Sequence, residues 1–182
     1  MGRPSYLILH GYQGSGPGHW QTWLAGRLRS GDAKVHYPDL PDADHPRLSA
    51  WLDALAGELD AIGEPPVVLC HSLACVMWMH HVADGGRPAE RVLLVAPPSE
   101  AGVPDALRSF FPAPAVSMPN ARLVCSDNDP YCPEGAVSLY GEGDVLPGQG
   151  HINPDAGYGP WPAVEAWARG DSAVISSRIA PG

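Results

Sequence analysis

Positive charge is scarce in this chain. One lysine, Lys34, and ten arginines face twenty acidic residues, giving a net charge of -9 over 182 residues. The arginines are spread singly, so no basic stripe can track a nucleic acid backbone or an anionic membrane. A neutral or cationic small molecule is the easier partner. Long apolar runs are also missing. Near the N-terminus only Tyr6-Leu7-Ile8-Leu9 is apolar, behind the single Arg3, too short for a signal-peptide core or a membrane span. Gly2 opens no myristoylation motif because position six is Tyr. The expectation is a cytoplasmic protein bound to no membrane. The four cysteines, Cys70, Cys75, Cys125 and Cys132, have no C-x-x-C spacing and read as small buried hydrophobes rather than disulfides or metal ligands.

What is present is a regular alternation. Short apolar runs at 5–10, 34–39, 67–71, 91–96, 122–126 and 144–146 have the character of parallel strands covered on both faces. Between them, Trp20, Trp23, Leu24 and Leu28 recur at helical spacing over 19–29, and Leu48, Trp51, Leu52, Leu55, Leu59 and Ile62 form a stripe opposite Asp53 and Asp60. Residues 73–82 are apolar almost all round, as in a helix packed against the centre of a sheet. Trp161, Val164, Trp167 and Ala168 mark a last helix, opened by Pro160 or Pro162. The pattern predicts a doubly wound α/β domain over 1–170, with 171–182 as a flexible C-terminal tail because periodicity stops there. The Pro-rich segment 97–120 interrupts the rhythm with one or two helical turns near 106–111. It reads as a long crossover in preference to a loop over a site.

Cys70-His71-Ser72-Leu73-Ala74 stands where the run Val67-Val68-Leu69 gives way to the helix-like Val76-Met77-Trp78-Met79. This arrangement predicts a nucleophile elbow, a sharp strand-to-helix turn that projects the Ser72 Oγ. Small residues are needed two before and two after the serine so that strand and helix can approach. Cys70 and Ala74 meet that need, although G-x-S-x-G itself is not matched. A bland alternative for the same five residues is a serine that caps a buried helix. The first strand runs into His10-Gly11-Tyr12-Gln13-Gly14-Ser15-Gly16-Pro17-Gly18-His19. Pro17-Gly18 stands where a P-loop requires Lys-Ser/Thr, and no G-x-G-x-x-G follows. A strand-end His-Gly loop able to aim the Tyr12 backbone N–H at an oxygen is what remains. Together with the N–H of Leu73 it would form an oxyanion hole.

A serine hydroxyl needs a base, and the base needs a group that fixes its tautomer. His151, in Pro147-Gly148-Gln149-Gly150-His151-Ile152-Asn153, is the one histidine beyond His81. The stretch Ser126-Asp127-Asn128-Asp129-Pro130-Tyr131-Cys132-Pro133 offers two acids. Asp129 has the better spacing to the following turn, while Asp127, one pleat earlier, is expected to accept backbone N–H groups of the 128–130 turn. Ser72, Asp129 and His151 thus stand in the chain order of the α/β hydrolases.

Taken together, the first glycine loop with Gly16-Pro17-Gly18-His19-Trp20, the elbow, the Asp129 segment and Gly150-His151-Ile152-Asn153 through Gly157-Tyr158-Gly159-Pro160-Trp161-Pro162 resemble the small serine hydrolases of the retinoblastoma-binding-protein/YdeN type. The likeness covers about residues 5–168. It implies a minimal, capless α/β-hydrolase fold of about six strands in the order 2-1-3-4-5-6, with Ser72, Asp129 and His151 as the triad. The segment between Cys132 and Val145 is short and carries Pro133, Gly135, Gly141 and Gly143, so its helix is expected to be truncated.

The chemistry expected is cleavage of a small acyl ester, with amides as an extension, through an acyl-enzyme, needing no metal or organic cofactor. Trp20 and Trp161 adjoin the catalytic loops and are candidates for walls of an acyl pocket, with helix packing as the alternative. A second reading, from another class, is a hydrolase-like module that binds a protein partner with little or no catalysis. Leu123-Val124-Cys125-Ser126-Asp127 approaches the Leu-x-Cys-x-Glu pattern of pocket-binding proteins but ends in Asp. Thiol chemistry at Cys70 or Cys132 is a third, weaker alternative.

Overall fold

A computed structural model describes residues 2–171 and 174–178 of the chain. Six strands, β1 (Ser5–Leu9), β2 (Lys34–His36), β3 (Val67–His71), β4 (Arg91–Val95), β5 (Ala121–Ser126) and β6 (Gly143–Leu146), form one parallel sheet in the order β2-β1-β3-β4-β5-β6. The expected α/β-hydrolase fold and strand order are therefore present. Strand limits agree with the sequence reading except at β2, where only three of the six expected residues pair.

Side chains alternate across the sheet with the period of two that a pleated strand imposes. Leu7, Leu9, Val68, Cys70, Val92, Leu94, Leu123 and Cys125 enter one core together with Trp51, Leu55 and Leu59 of α2 (Leu48–Ile62) and the apolar α3 (Leu73–Ala83). Tyr6, Ile8, Val67, Leu69, Leu93, Val95 and Val124 enter the other. That second core is closed by Trp20, Leu24 and Leu28 of α1 (Trp20–Ser30) and by Val164 and Trp167 of α5 (Pro162–Ala168). Burial on both faces explains why the strands read as continuous apolar runs. Arg91 donates to the carbonyls of Trp167 and Ala168 at 2.6 and 2.8 Å, a cation placed at the negative end of α5.

Helix α4 (Ala136–Tyr140) has five residues, the truncation expected from the glycines and proline around it. The segment 97–120 contains two 3-10 turns, Glu100–Gly102 and Asp105–Phe110, and is fastened rather than looped out. Phe110 is buried edge-on against Trp51, and the Ser99 N–H donates to the Tyr131 carbonyl at 2.9 Å. Of the predicted tail, residues 172–173 and 179–182 lie outside the described residues. Within the described part, Ile175 is buried, Trp161 Nε1 donates to the Ser176 carbonyl at 2.7 Å and the Arg178 N–H donates to the Tyr158 hydroxyl. Among the described residues no helix is long and apolar enough to cross a membrane.

The chain reverses its winding between β1 and β3, which are neighbours in the sheet but separated in sequence by β2 and α2. The loops after these two strands meet at their carboxyl ends, where an α/β sheet of this kind places its ligand crevice.

Candidate active site

Only Ser72 separates the last residue of β3 from the first of α3. Such a turn forces Ser72 to φ 56°, ψ -123°, a backbone state that costs a non-glycine residue about 1–3 kcal/mol. It is held in place by the Ser72 N–H donating to the Val95 carbonyl at 2.8 Å and by its own carbonyl accepting from Cys75 at 2.9 Å. Cys70 and Ala74 are fully buried on either side, as the elbow requires. A third small residue matters as much. A Cβ on Gly11 would lie 2.9 Å from the Ser72 Cβ and 3.0 Å from the His71 carbonyl, so only glycine lets the first loop lie against the elbow. Its position at the end of an apolar strand, opposite the serine motif, is the signal that marks it in sequence.

Ser72, His151 and Asp129 come together. The Ser72 Oγ is 2.8 Å from His151 Nε2, and His151 Nδ1 is 2.8 and 3.0 Å from the two carboxylate oxygens of Asp129. A carboxylate accepts only, so the imidazole proton sits on Nδ1 and Nε2 is left to accept from the serine hydroxyl. Asp129 and His151 are buried, with side chains 3% and 9% exposed. The Asp129 Oδ1 also accepts the Tyr131 N–H at 2.9 Å. The Tyr131 ring lies over the imidazole with centroids 4.4 Å apart.

Asp127 does other work than expected. Its Oδ1 accepts the Gly148 N–H at 2.7 Å, not the amides of its own turn. Next to it, Ser126 Oγ accepts the Gln149 N–H at 2.8 Å and Asn128 Oδ1 accepts the Gly150 N–H at 2.7 Å. Three consecutive side chains at the end of β5, Ser126, Asp127 and Asn128, thus hold three consecutive amides after β6. The reason is register: β5 and β6 pair in parallel, with Ser126 opposite Leu146, so the two loops leave the sheet side by side.

The two backbone groups expected to face the oxyanion are also oriented. Leu73 is the first residue of α3, and its N–H has no carbonyl of its own helix to reach. For Tyr12 the orientation comes through His10. The Leu40 N–H donates to His10 Nε2 at 2.9 Å, so the ring proton is on Nδ1 and donates to the Gly11 carbonyl at 2.8 Å. That carbonyl also accepts the Gly14 N–H at 3.1 Å. In a trans peptide C=O and N–H point opposite ways, so fixing the Gly11 oxygen turns the Tyr12 N–H to the other side.

A cavity of about 330 Å³ opens beside these groups. Its wall includes Gly11, Tyr12, His19, Ser72, Leu73 and His151, and it takes Pro98, Val103 and Leu107 from the segment 97–120. That segment is therefore a wall of the site, where the sequence favoured a plain crossover. Its tie to the acid loop is close: a Cβ on Gly102 would fall 2.0 Å from the Tyr131 carbonyl oxygen. Trp20 and Trp161 do not line the cavity. Both are fully buried, their rings meet edge-on at 5.3 Å, and their indole N–H groups are taken by the carbonyls of Ile152 and Ser176. Their assignment to an acyl pocket gives way to core packing.

Four imidazoles surround the elbow. Burial holds His10 and His71 below the ordinary histidine range and takes His19 down to about 4. His71 Nε2 donates to the His151 carbonyl at 3.0 Å, fastening the His151 backbone to the strand that leads into Ser72. The thiols are poor nucleophiles: burial raises Cys70 well above its usual range and Cys132 to about 11. Cys125 is buried in β5, a strand flanked by β4 and β6, so 123–127 is not displayed as a linear motif.

The family model described as "Serine hydrolase" matches residues 6–169. YdeN of Bacillus subtilis (strain 168) is 35% identical over 68 residues, a match spanning 37% of this chain and 36% of that protein's length. The crystal structure of the B. subtilis ydeN gene product superposes with a TM-score of 0.70 at 22% identity, covering 90% of this chain and 96% of that one. A YdeN-like protein of Pectobacterium atrosepticum superposes with a TM-score of 0.74 at 21% identity, covering 92% and 89%.

Proposed function

Since the chain belongs to the serine hydrolase family and is therefore a hydrolytic enzyme, we propose that it cleaves small acyl esters, and amides more slowly, through Ser72, His151 and Asp129. One observation carries the reading: the unbroken relay from the Ser72 Oγ through His151 to Asp129, each contact 2.8 Å at its shortest. In the first step His151 Nε2 takes the hydroxyl proton while the Ser72 oxygen bonds to the ester carbonyl carbon. The carbonyl pair moves onto oxygen, which accepts from the Tyr12 and Leu73 N–H groups. Such donors are worth about 2.7–4 kcal/mol each in a transition state. Collapse expels the alcohol, which takes the proton from His151, and Asp129 stabilises the imidazolium between the two transfers. Water then repeats the sequence on the acyl-enzyme and releases the acid.

The cavity supports a limit on the substrate. Its wall carries Asp155 and neither lysine nor arginine, so nothing in it neutralises a phosphate or a free carboxylate. Its volume of about 330 Å³ is at the small end for a ligand site and suits short acyl groups. Butyryl aryl esters are expected to exceed palmitoyl esters in kcat/KM.

Fluorophosphonate labelling followed by mass mapping tests the assignment. The expected result is one adduct, on Ser72, absent from Ser72→Ala together with ester hydrolysis while the circular dichroism spectrum is retained. Labelling that survives in Ser72→Ala overturns the nucleophile.

A further inference from the structure

Two imidazoles in the cavity wall stand outside the relay: His71, whose Nε2–H is taken by the His151 carbonyl, and His19. His19 is 4% exposed and caps α1, its Nδ1 accepting the Gln21 N–H at 3.1 Å. The ring proton is therefore on Nε2. Among the described residues no protein atom accepts it, yet no buried side-chain nitrogen or oxygen is left without a partner. His19 Nε2 is therefore not sealed from solvent, and His19 stands in the wall of the cavity. A donor in such a position is satisfied by water or by a ligand acceptor.

Its place in the cavity says which part of a substrate it meets. The rings of His19, His71, His151 and Tyr131 follow one another with centroids 4.7, 4.9 and 4.4 Å apart. His19 is thus linked through the His71 ring to the His151 imidazole, from which a departing alcohol would collect its proton. Gln13, Asn153 and Asp155 add further polar lining, whereas Leu73, Pro98, Val103 and Leu107 supply apolar wall suited to an acyl chain.

On the proposed Ser72 mechanism, we infer that His19 is a specificity-determining residue: its Nε2–H binds an oxygen acceptor in the alcohol portion, so that the preferred substrates are short-chain esters of hydroxylated or alkoxylated alcohols. Because burial keeps His19 uncharged down to about pH 4, the group is a neutral donor through the working range and does not compete with His151 for protons.

Two isosteric pairs test this, each normalised to its rate with hydroxide. On the alcohol side, 2-methoxyethyl butyrate differs from butyl butyrate by oxygen for methylene; on the acyl side, ethyl methoxyacetate differs from ethyl butyrate in the same way. The wild type is expected to favour the alcohol-side ether by about five- to tenfold in kcat/KM, the worth of one neutral hydrogen bond. The acyl-side pair is expected to be near parity. In His19→Asn, whose side-chain oxygen can still cap α1, the alcohol-side preference collapses. No preference in the wild type overturns the inference without needing the variant. A preference that survives in His19→Asn, or one confined to the acyl side, also overturns it. Fluorophosphonate labelling of Ser72 in both proteins keeps the outcomes distinct: a labelled enzyme without discrimination refutes the His19 role alone, and an unlabelled one refutes the serine mechanism beneath it.

Discussion

The centre of the sheet and its β5–β6 rim hold their parts of the site by different means. At the centre, every residue of β1 and β3 is buried, and the position of Ser72 follows from backbone: a two-sided ladder, a strained turn and the contact with Gly11. At the rim, β6 is short and mostly open to solvent, with Val145 43% exposed, and Asp129 and His151 are placed by hydrogen bonds between two loops. Ser72 is thus built into the fold, while His151 and Asp129 are assembled on it. Changes at the rim should reach chemistry and spare stability; changes at the centre should reach both.

The largest effect is expected at the rim. Asp129→Asn would present an amide to His151 Nδ1 and favour the wrong tautomer, lowering kcat by up to about 10⁴. Its melting temperature should stay within about 4 °C of wild type. Steady-state assays beside thermal melts check both halves of the claim, and a large fall in melting temperature would erase the contrast.

Gly11→Ala attacks the centre. The added Cβ must displace the elbow or the Tyr12 loop, so kcat should fall by about 10²–10³, the worth of one oxyanion donor. Here the melting temperature should fall as well. A variant that is slow but fully stable would show that the loop adapts independently of the fold.

Acid should also find the centre first. His10, His19 and His71 are packed around the ends of β1 and β3 with folded pKa values below the ordinary 6.5. As pH falls through about 6.5 the unfolded chain takes up protons before the native one. Stability is therefore complete above that point and lost below it, until His19 itself protonates near 4. His19 alone removes on the order of 2 kcal/mol by pH 5. Urea midpoints at pH 7 and pH 5 measure this, and an unchanged midpoint contradicts it.

The smallest effect returns to the rim. Asp127→Asn keeps an oxygen for the Gly148 N–H, so kcat should fall by less than about tenfold. A loss greater than that of Asp129→Asn would reverse the roles of the two acids.

The same division governs what the sequence discloses. Strands buried on both faces announce themselves as apolar runs, and the elbow is read from Cys70, Ser72 and Ala74 because its steric need is local. The order Ser72, Asp129, His151 is equally visible because each residue follows a strand. Partners across space are not. Asp127 reads as a member of its own turn because local sequence cannot show that Gly148 leaves the neighbouring strand beside it. Trp20 and Trp161 flank the right loops, but which way a ring points depends on the opposite helix. The Pro-rich 97–120 has no period to read, and its contribution to the cavity rests on long-range contacts such as Gly102 on Tyr131.

Three neighbouring amides, those of Gly148, Gln149 and Gly150, end on the side chains of Asp127, Ser126 and Asn128. Irregular loops ordinarily trade their amide hydrogens with solvent quickly. These three are expected to do so when the loops part, and on the proposed mechanism a parting that takes His151 off Ser72 interrupts catalysis. Their exchange with deuterium is therefore a clock for the fraction of molecules momentarily switched off, readable without any substrate.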